Sequence, residues 1–330
     1  MPPRTRAQSA SHSPNEDPTF SLEVAVLRTV AYADVFDYPL TVHEVHRYLA
    51  GMSASFSAVQ DALDHCVSSG RLLMYRQGYV TLPGRESIVE TRLLRQALCT
   101  SLWPKGIRYG LAIASLPFVR LVAVTGTLAV DNVEQGADID YLIATAPGRV
   151  WLTRLLTLVI VRIGRLEGVE VCPNYVISVD ALEQFDHSLF TAHELAQMIP
   201  LYGLDVYEAL ISVNAWAQHF LPNAFSVHRD LPQRELGLAS RALKQTGERL
   251  FAGKLGDMLE RWEMGHKIPR LMNQAAHRDT CAALFTPQCC KGHLDNHGDR
   301  IGKEYTQRLR RAGLDDEHQV SLSACSTTRD

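Results

Sequence analysis

Apolar positions first recur with helical spacing in LEVAVLRTVAYADVF, Leu22 to Phe36, which predicts an amphipathic helix. PLTVHEVHRYLA follows. Its Thr41 stands as an N-cap with Glu44 three residues on, the two halves of a capping box. SFSAVQDALDHCVSSG predicts a third helix closed by Gly70 as its C-cap. RLLMYRQGYVTL then alternates with period two around Gln77-Gly78, which predicts a hairpin. Three short helices and a two-stranded wing, in that order, predict an N-terminal winged helix-turn-helix over residues 21–84, able to fold as a module of its own.

Beyond it, residues 85–119 predict linker helices, the first ending at Pro104. FVRLVAVTG, DIDYLIAT and VEVCPNYVIS predict three strands, with a helix from Pro147 to Arg165 between the last two. These place a mixed-sheet core over residues 120–185. Residues 186–270 are helical by pattern, and 271–330 form an irregular C-terminal tail with one helix near Ile301 to Ala312. The fold class expected is therefore α+β. Residues 1–20, polar and rich in Pro and Ser, predict a disordered arm rather than a signal peptide.

Composition adds limits. With 46% hydrophobic and 21% charged residues, the 330-residue chain has ample core material. Its most apolar run, Val150 to Ile163, carries Arg154 and Arg162 and is too short to span a bilayer, so no membrane is expected. Seven cysteines lie far apart except for Cys289-Cys290, which suits a reduced, cytoplasmic setting. A net charge of −3 gives no global basic field. Nor does the third helix supply a local one: it has Asp61, Asp64 and His65 but no Lys or Arg, against Arg71, Arg76 and Arg85 around the wing. Phosphate neutralisation drives non-specific affinity, so DNA is an unlikely partner and a docked protein a better one.

The candidate chemistry lies in VTGTLAVDNVEQGADIDYLIAT. Strand alternation puts Asp138 and Asp140 on one face and Ile139 in the core. Two neighbouring carboxylates repel each other, and a divalent cation relieves that; Mg²⁺ takes a few carboxylate oxygens and leaves room for water and phosphates. Gly126-Thr127, at the end of the preceding strand, allows close backbone approach and offers a hydroxyl to a phosphate. If the two strands pair, both motifs reach the same sheet edge. Arg149 and Arg154, on the following helix, are candidate phosphate-binding cations.

An apolar strand ending in Gly-Ser or Gly-Thr, about ten residues, then Asp-apolar-Asp resembles the nucleotidyltransferase superfamily, which includes DNA polymerase beta. A bacterial group of nucleotidyltransferase-like proteins is similar over more of the chain, through segments like DVFDYPLT, APGRVWLTRLL, CPNYVIS and TAHELAQMIPLYG. The resemblance implies that Gly126 and Thr127 hold a nucleoside triphosphate and that Asp138 and Asp140 bind Mg²⁺. It also implies a third carboxylate on a later strand. That residue has no clear counterpart here; Glu170 is chosen because alternation places it with Cys172 and Asn174, away from Val169, Val171 and Tyr175. Its rival, Asp180, comes at the strand's far end.

The expectation is a Mg²⁺-dependent nucleotidyltransferase with an acceptor that the sequence does not specify. The alternatives are a catalytically silent nucleotide-binding or regulatory protein and a winged-helix DNA-binding regulator. CCKGHLDNH resembles a zinc site only superficially, since adjacent cysteines rarely share one ion. Asn174, Asn214 and Asn223 read as turn fasteners, and His193 and Glu194 as hydrogen-bonded core groups, with reach to a nucleotide as the alternative.

Overall fold

The computed structural model describes residues 21–68, 73–226, 234–276, 284–292 and 297–314. The expectations for residues 1–20, Gly70 and Arg71 fall outside them.

The N-terminal helices are α1 (Leu22–Asp34), α2 (Val42–Arg47) and α3 (Phe56–Ser68). Both halves of the Thr41–Glu44 capping box form. The hairpin of β1 (Met74–Arg76) and β2 (Tyr79–Thr81) turns at Gln77-Gly78, with φ of 51° and 86°. Two positive φ values in a two-residue loop match strand twist, which is why a glycine serves there.

These elements share a core of their own, and they also contact the rest of the chain. Tyr32 and Ala31 of α1 belong to the central core. Arg47 donates to the Ala196 carbonyl at 3.1 Å, and Asn223 Nδ2 donates to the carbonyls of His46 and Ala54. Asp34, 3% exposed, accepts from Arg85 at 2.9 Å and from Arg308 at 2.7 Å.

α4 (Ile88–Ala114) runs through Pro104 instead of stopping there. A proline inside a helix costs about 3 kcal/mol through its missing N–H and a ring clash. Here the carbonyl it orphans belongs to exposed Thr100, while the downstream Tyr109, Ile113 and Ala114 are buried against the sheet. Burial of that half offsets the break.

Six strands form one sheet: β3 (Val119–Thr125), β4 (Ile139–Thr145), β5 (Val171–Ser178), β6 (Ile199–Tyr202), β7 (Leu284–Thr286) and β8 (Cys289–Lys291), in the order β6-β3-β4-β5-β8-β7. β4 and β5 are parallel and the other pairs antiparallel, so the sheet is mixed. Two expectations change. β6 lies inside the stretch read as helical, and β7 and β8 lie in the stretch read as irregular. Three- and four-residue strands are too short to show a period; pairing makes them strands.

The remaining helices are α5 (Gly126–Ala129), α6 (Val150–Leu166), α7 (Leu189–Gln197), α8 (Leu204–Val213), α9 (Pro222–Ser226), α10 (Leu238–Phe251), α11 (Lys254–Ala276) and α12 (His297–Arg311). One face of the sheet (Val122, Val124, Ile139, Tyr141, Ile143) packs with α4 and α6. The other (Leu121, Ala123, Leu142, Ala144, Ile177) packs with α1, α7, α8 and α12. Among the described residues no helix is long and apolar enough to cross a membrane.

Candidate functional site

β3 and β4 pair antiparallel with Thr125 opposite Asp140, so the chain doubles back as the spacing requires. Gly126 opens α5 at φ +65°, and a Cβ built there would stand 2.4 Å from Asp140 Oδ2. No L side chain fits that approach; the glycine and the carboxylate are packed as a unit. Thr127 follows, exposed at the sheet edge.

Asp138 and Asp140 lie on one face and Ile139, fully buried, on the other. Their carboxylate oxygens come within 4.8 Å of each other and of Cys172 Sγ. Burial, then the Asp138 charge, raises the Asp140 pKa to about 7, although the Cys172 thiol donates to it. The thiol's own pKa is pushed up by burial and by both aspartates, so it stays protonated. Two carboxylates on an open edge suit a hard cation that keeps water and phosphate ligands. A protonated thiol does not.

Cys172 reaches the pair because it sits opposite Asp140 in the parallel β4/β5 register. The next partners are Leu142 and Tyr175, so β5 carries one extra residue around Pro173. Proline has no N–H for a ladder bond and is tolerated at such bulges. Simple alternation therefore fails: Tyr175 joins the Cys172 face instead of opposing it.

Glu170 does not join the carboxylate pair. It precedes β5, and its side chain, 55% exposed, pairs with Arg165 at 3.1 Å. Its carbonyl, not its carboxylate, meets β4, accepting from Ile139 N–H at 2.8 Å. Asp180 lies exposed beyond the far end of β5.

Arg149 and Arg154 are also displaced from the site. α6 packs on the sheet face opposite Asp140, and its arginines pair with α11: Arg149 with Asp257 at 2.7 Å, Arg154 with Glu263 at 3.2 Å. Glu260 of α11 caps α6, accepting from Trp151 and Leu152 N–H at 3.0 and 2.6 Å. Arg149→Ala is therefore expected to leave Mg²⁺-dependent nucleotide affinity within about 3-fold by calorimetry. Arg154→Ala should lower stability by about 2–3 kcal/mol in urea, because Glu263, 1% exposed, loses its partner.

His193 and Glu194 separate. The His193 ring stacks on Tyr32 at 4.1 Å, Nδ1 meets the Leu189 carbonyl, and burial lowers its pKa to about 4. One residue on, a 100° turn of the helix carries Glu194 to the other side. There it lines a cleft with Thr125, Leu142, Asn174, Tyr175 and, from β8, Lys291. Apolar spacing marked α7 correctly but could not say which side faced the sheet. Lys291 lay in a segment without periodic signal. Asn214 does fasten turns, accepting from Gln184 N–H and donating to the carbonyls of Leu182 and Leu210. Cys289 and Cys290 point into opposite cores and cannot hold one ion together.

No family model, curated protein or solved structure matches this chain.

Proposed function

We propose that this chain is a Mg²⁺-dependent nucleotidyltransferase, moving a nucleoside monophosphate from an NTP to an acceptor, with a winged helix-turn-helix built onto its transferase core. One observation carries the reading: Asp138 and Asp140 converge on one face beside Gly126, whose missing side chain makes room for the Asp140 carboxylate. In this reading the aspartates hold the cation, and the exposed Gly126-Thr127 turn receives the triphosphate. Bound Mg²⁺ would neutralise charge on the phosphates during in-line displacement. Asp140 must shed its proton to serve, and a bound cation favours that.

The test is pyrophosphate release from each of the four NTPs with Mg²⁺. Release that depends on protein and metal supports the reading; Mg²⁺-dependent NTP binding with no release, over a broad acceptor panel, overturns catalysis.

A second reading, a catalytically silent nucleotide-binding protein, draws on Cys172. It occupies the strand position facing Asp140, where a carboxylate would serve a transferase better.

DNA recognition is disfavoured. The exposed positions of α3 include Ser57, Gln60, Asp61, Asp64 and His65. Without cations there, binding to duplex DNA at low salt should be weaker than about 10 µM. Tighter, salt-sensitive binding by fluorescence anisotropy would reinstate the DNA regulator. A docked protein is the better match to this uncharged-to-acidic face.

A further inference from the structure

Inward from the carboxylate pair, the same sheet face opens into a small cleft. Thr125, opposite Asp140, joins it to the site, and Leu142 and Tyr175 continue its surface along β4 and β5. Glu194 enters from α7. Lys291 enters from β8, its Nζ 5.4 Å from the Tyr175 ring centroid. Among the described residues, neither the Glu194 carboxylate nor the Lys291 ammonium has a hydrogen-bonding or ion-pair partner, and they are not paired with each other.

Several arginines behave differently. Arg149, Arg154, Arg92 and Arg308 all sit on carboxylates. An acid and a cation that share a small cleft while remaining apart suit a ligand with a hydroxyl at one end and an anion at the other. Lysine offers three donors to a phosphate or carboxylate, and a carboxylate accepts from a hydroxyl.

We propose that this cleft is the acceptor subsite of the transferase, and that the acceptor is a small hydroxyl compound bearing an anionic group, phosphate above all. The inference rests on the nucleotidyltransferase reading. Lys291 holds the anion and Glu194 the hydroxyl, which faces the carboxylate pair. The acceptor oxygen then forms a bond to the α-phosphorus, and the bond from that phosphorus to the bridging oxygen breaks. Pyrophosphate leaves with the electron pair, and the hydroxyl proton passes to Glu194.

The experiment uses the full chain in EDTA, which removes metal-dependent binding, and compares glycerol 3-phosphate with propyl phosphate by calorimetry. Glycerol 3-phosphate should bind more tightly. Lys291→Ala should weaken both probes about 10-fold or more, with Lys291→Arg retaining most affinity. Glu194→Leu should remove the preference for the hydroxylated probe. Asp138→Asn/Asp140→Asn should leave both affinities unchanged in EDTA while abolishing NTP binding in a parallel titration with Mg²⁺. Absence of binding, indifference to Lys291, or loss in the aspartate variant overturns the cleft assignment. Retained Mg²⁺–NTP binding in the aspartate variant instead overturns the transferase site, so the two failures are distinct.

Discussion

Asp138→Asn/Asp140→Asn is expected to lower pyrophosphate release by about 10³-fold or more and, in the same variant, to stabilise the metal-free protein. The activity effect follows from removing both of the proposed cation ligands. The stability effect follows from Asp140. Its carboxyl keeps its proton to about pH 7 in the folded protein because burial and the Asp138 charge oppose ionisation. Unfolded, it ionises near pH 4. Between these values the folded state binds more protons than the unfolded, so wild-type stability falls as pH rises, and the penalty is complete above about 7.

About three pH units at 1.36 kcal/mol each gives an upper bound near 4 kcal/mol; solvent at the open edge reduces it to about 2. Urea denaturation in EDTA should thus show the variant more stable at pH 8 and the two proteins nearly equal at pH 4. Mg²⁺ should stabilise only the wild type, since a ligand that binds the folded state raises its stability. An equal Mg²⁺ effect on both proteins would remove the aspartates from the metal site.

Gly126→Ala tests the same place from the other side. The substitution meets two obstacles: a φ of +65°, and Asp140 Oδ2 at 2.4 Å from the new Cβ, with Asp140 Cβ and Cγ at 3.3 Å. The backbone strain costs about 1 kcal/mol. The clash is relieved only by moving the Asp140 carboxylate, which displaces the proposed cation ligand; a shift of about 1 Å in a reacting constellation can cost 10²-fold in rate. The variant should therefore lose about 100-fold in activity and most of its Mg²⁺ affinity, while its urea midpoint falls only modestly. Gly136→Ala is the control, also at positive φ (+79°) but with nothing within 4 Å of a built Cβ. It should show the strain without the loss of metal binding. Similar metal affinity in both variants would mean that the Gly126–Asp140 contact has no functional role.

Features that depend on neighbours along the chain were readable from the residues alone. The Thr41–Glu44 box, the Gln77-Gly78 turn and the shared face of Asp138 and Asp140 all follow from local dihedral preferences and the two-residue period of a strand. The spacing of Gly126 and Asp140 was legible for the same reason, because a short connection between paired strands returns the chain to the same edge.

What failed depended on distant partners. Arg149 and Arg154 were misplaced because their spacing does not say which sheet face α6 covers; α11 carboxylates more than a hundred residues away claimed both arginines. Glu170 was misplaced because it stands before the first residue of β5, where Arg165 at the end of α6 claims its side chain. Glu194 and Lys291 come from a helix face and from β8, a three-residue strand, with no local signature. Side-chain period is a property of one segment, whereas register, bulges and layer order are set by what packs against that segment. Only the tertiary structure could decide which charges meet in the cleft.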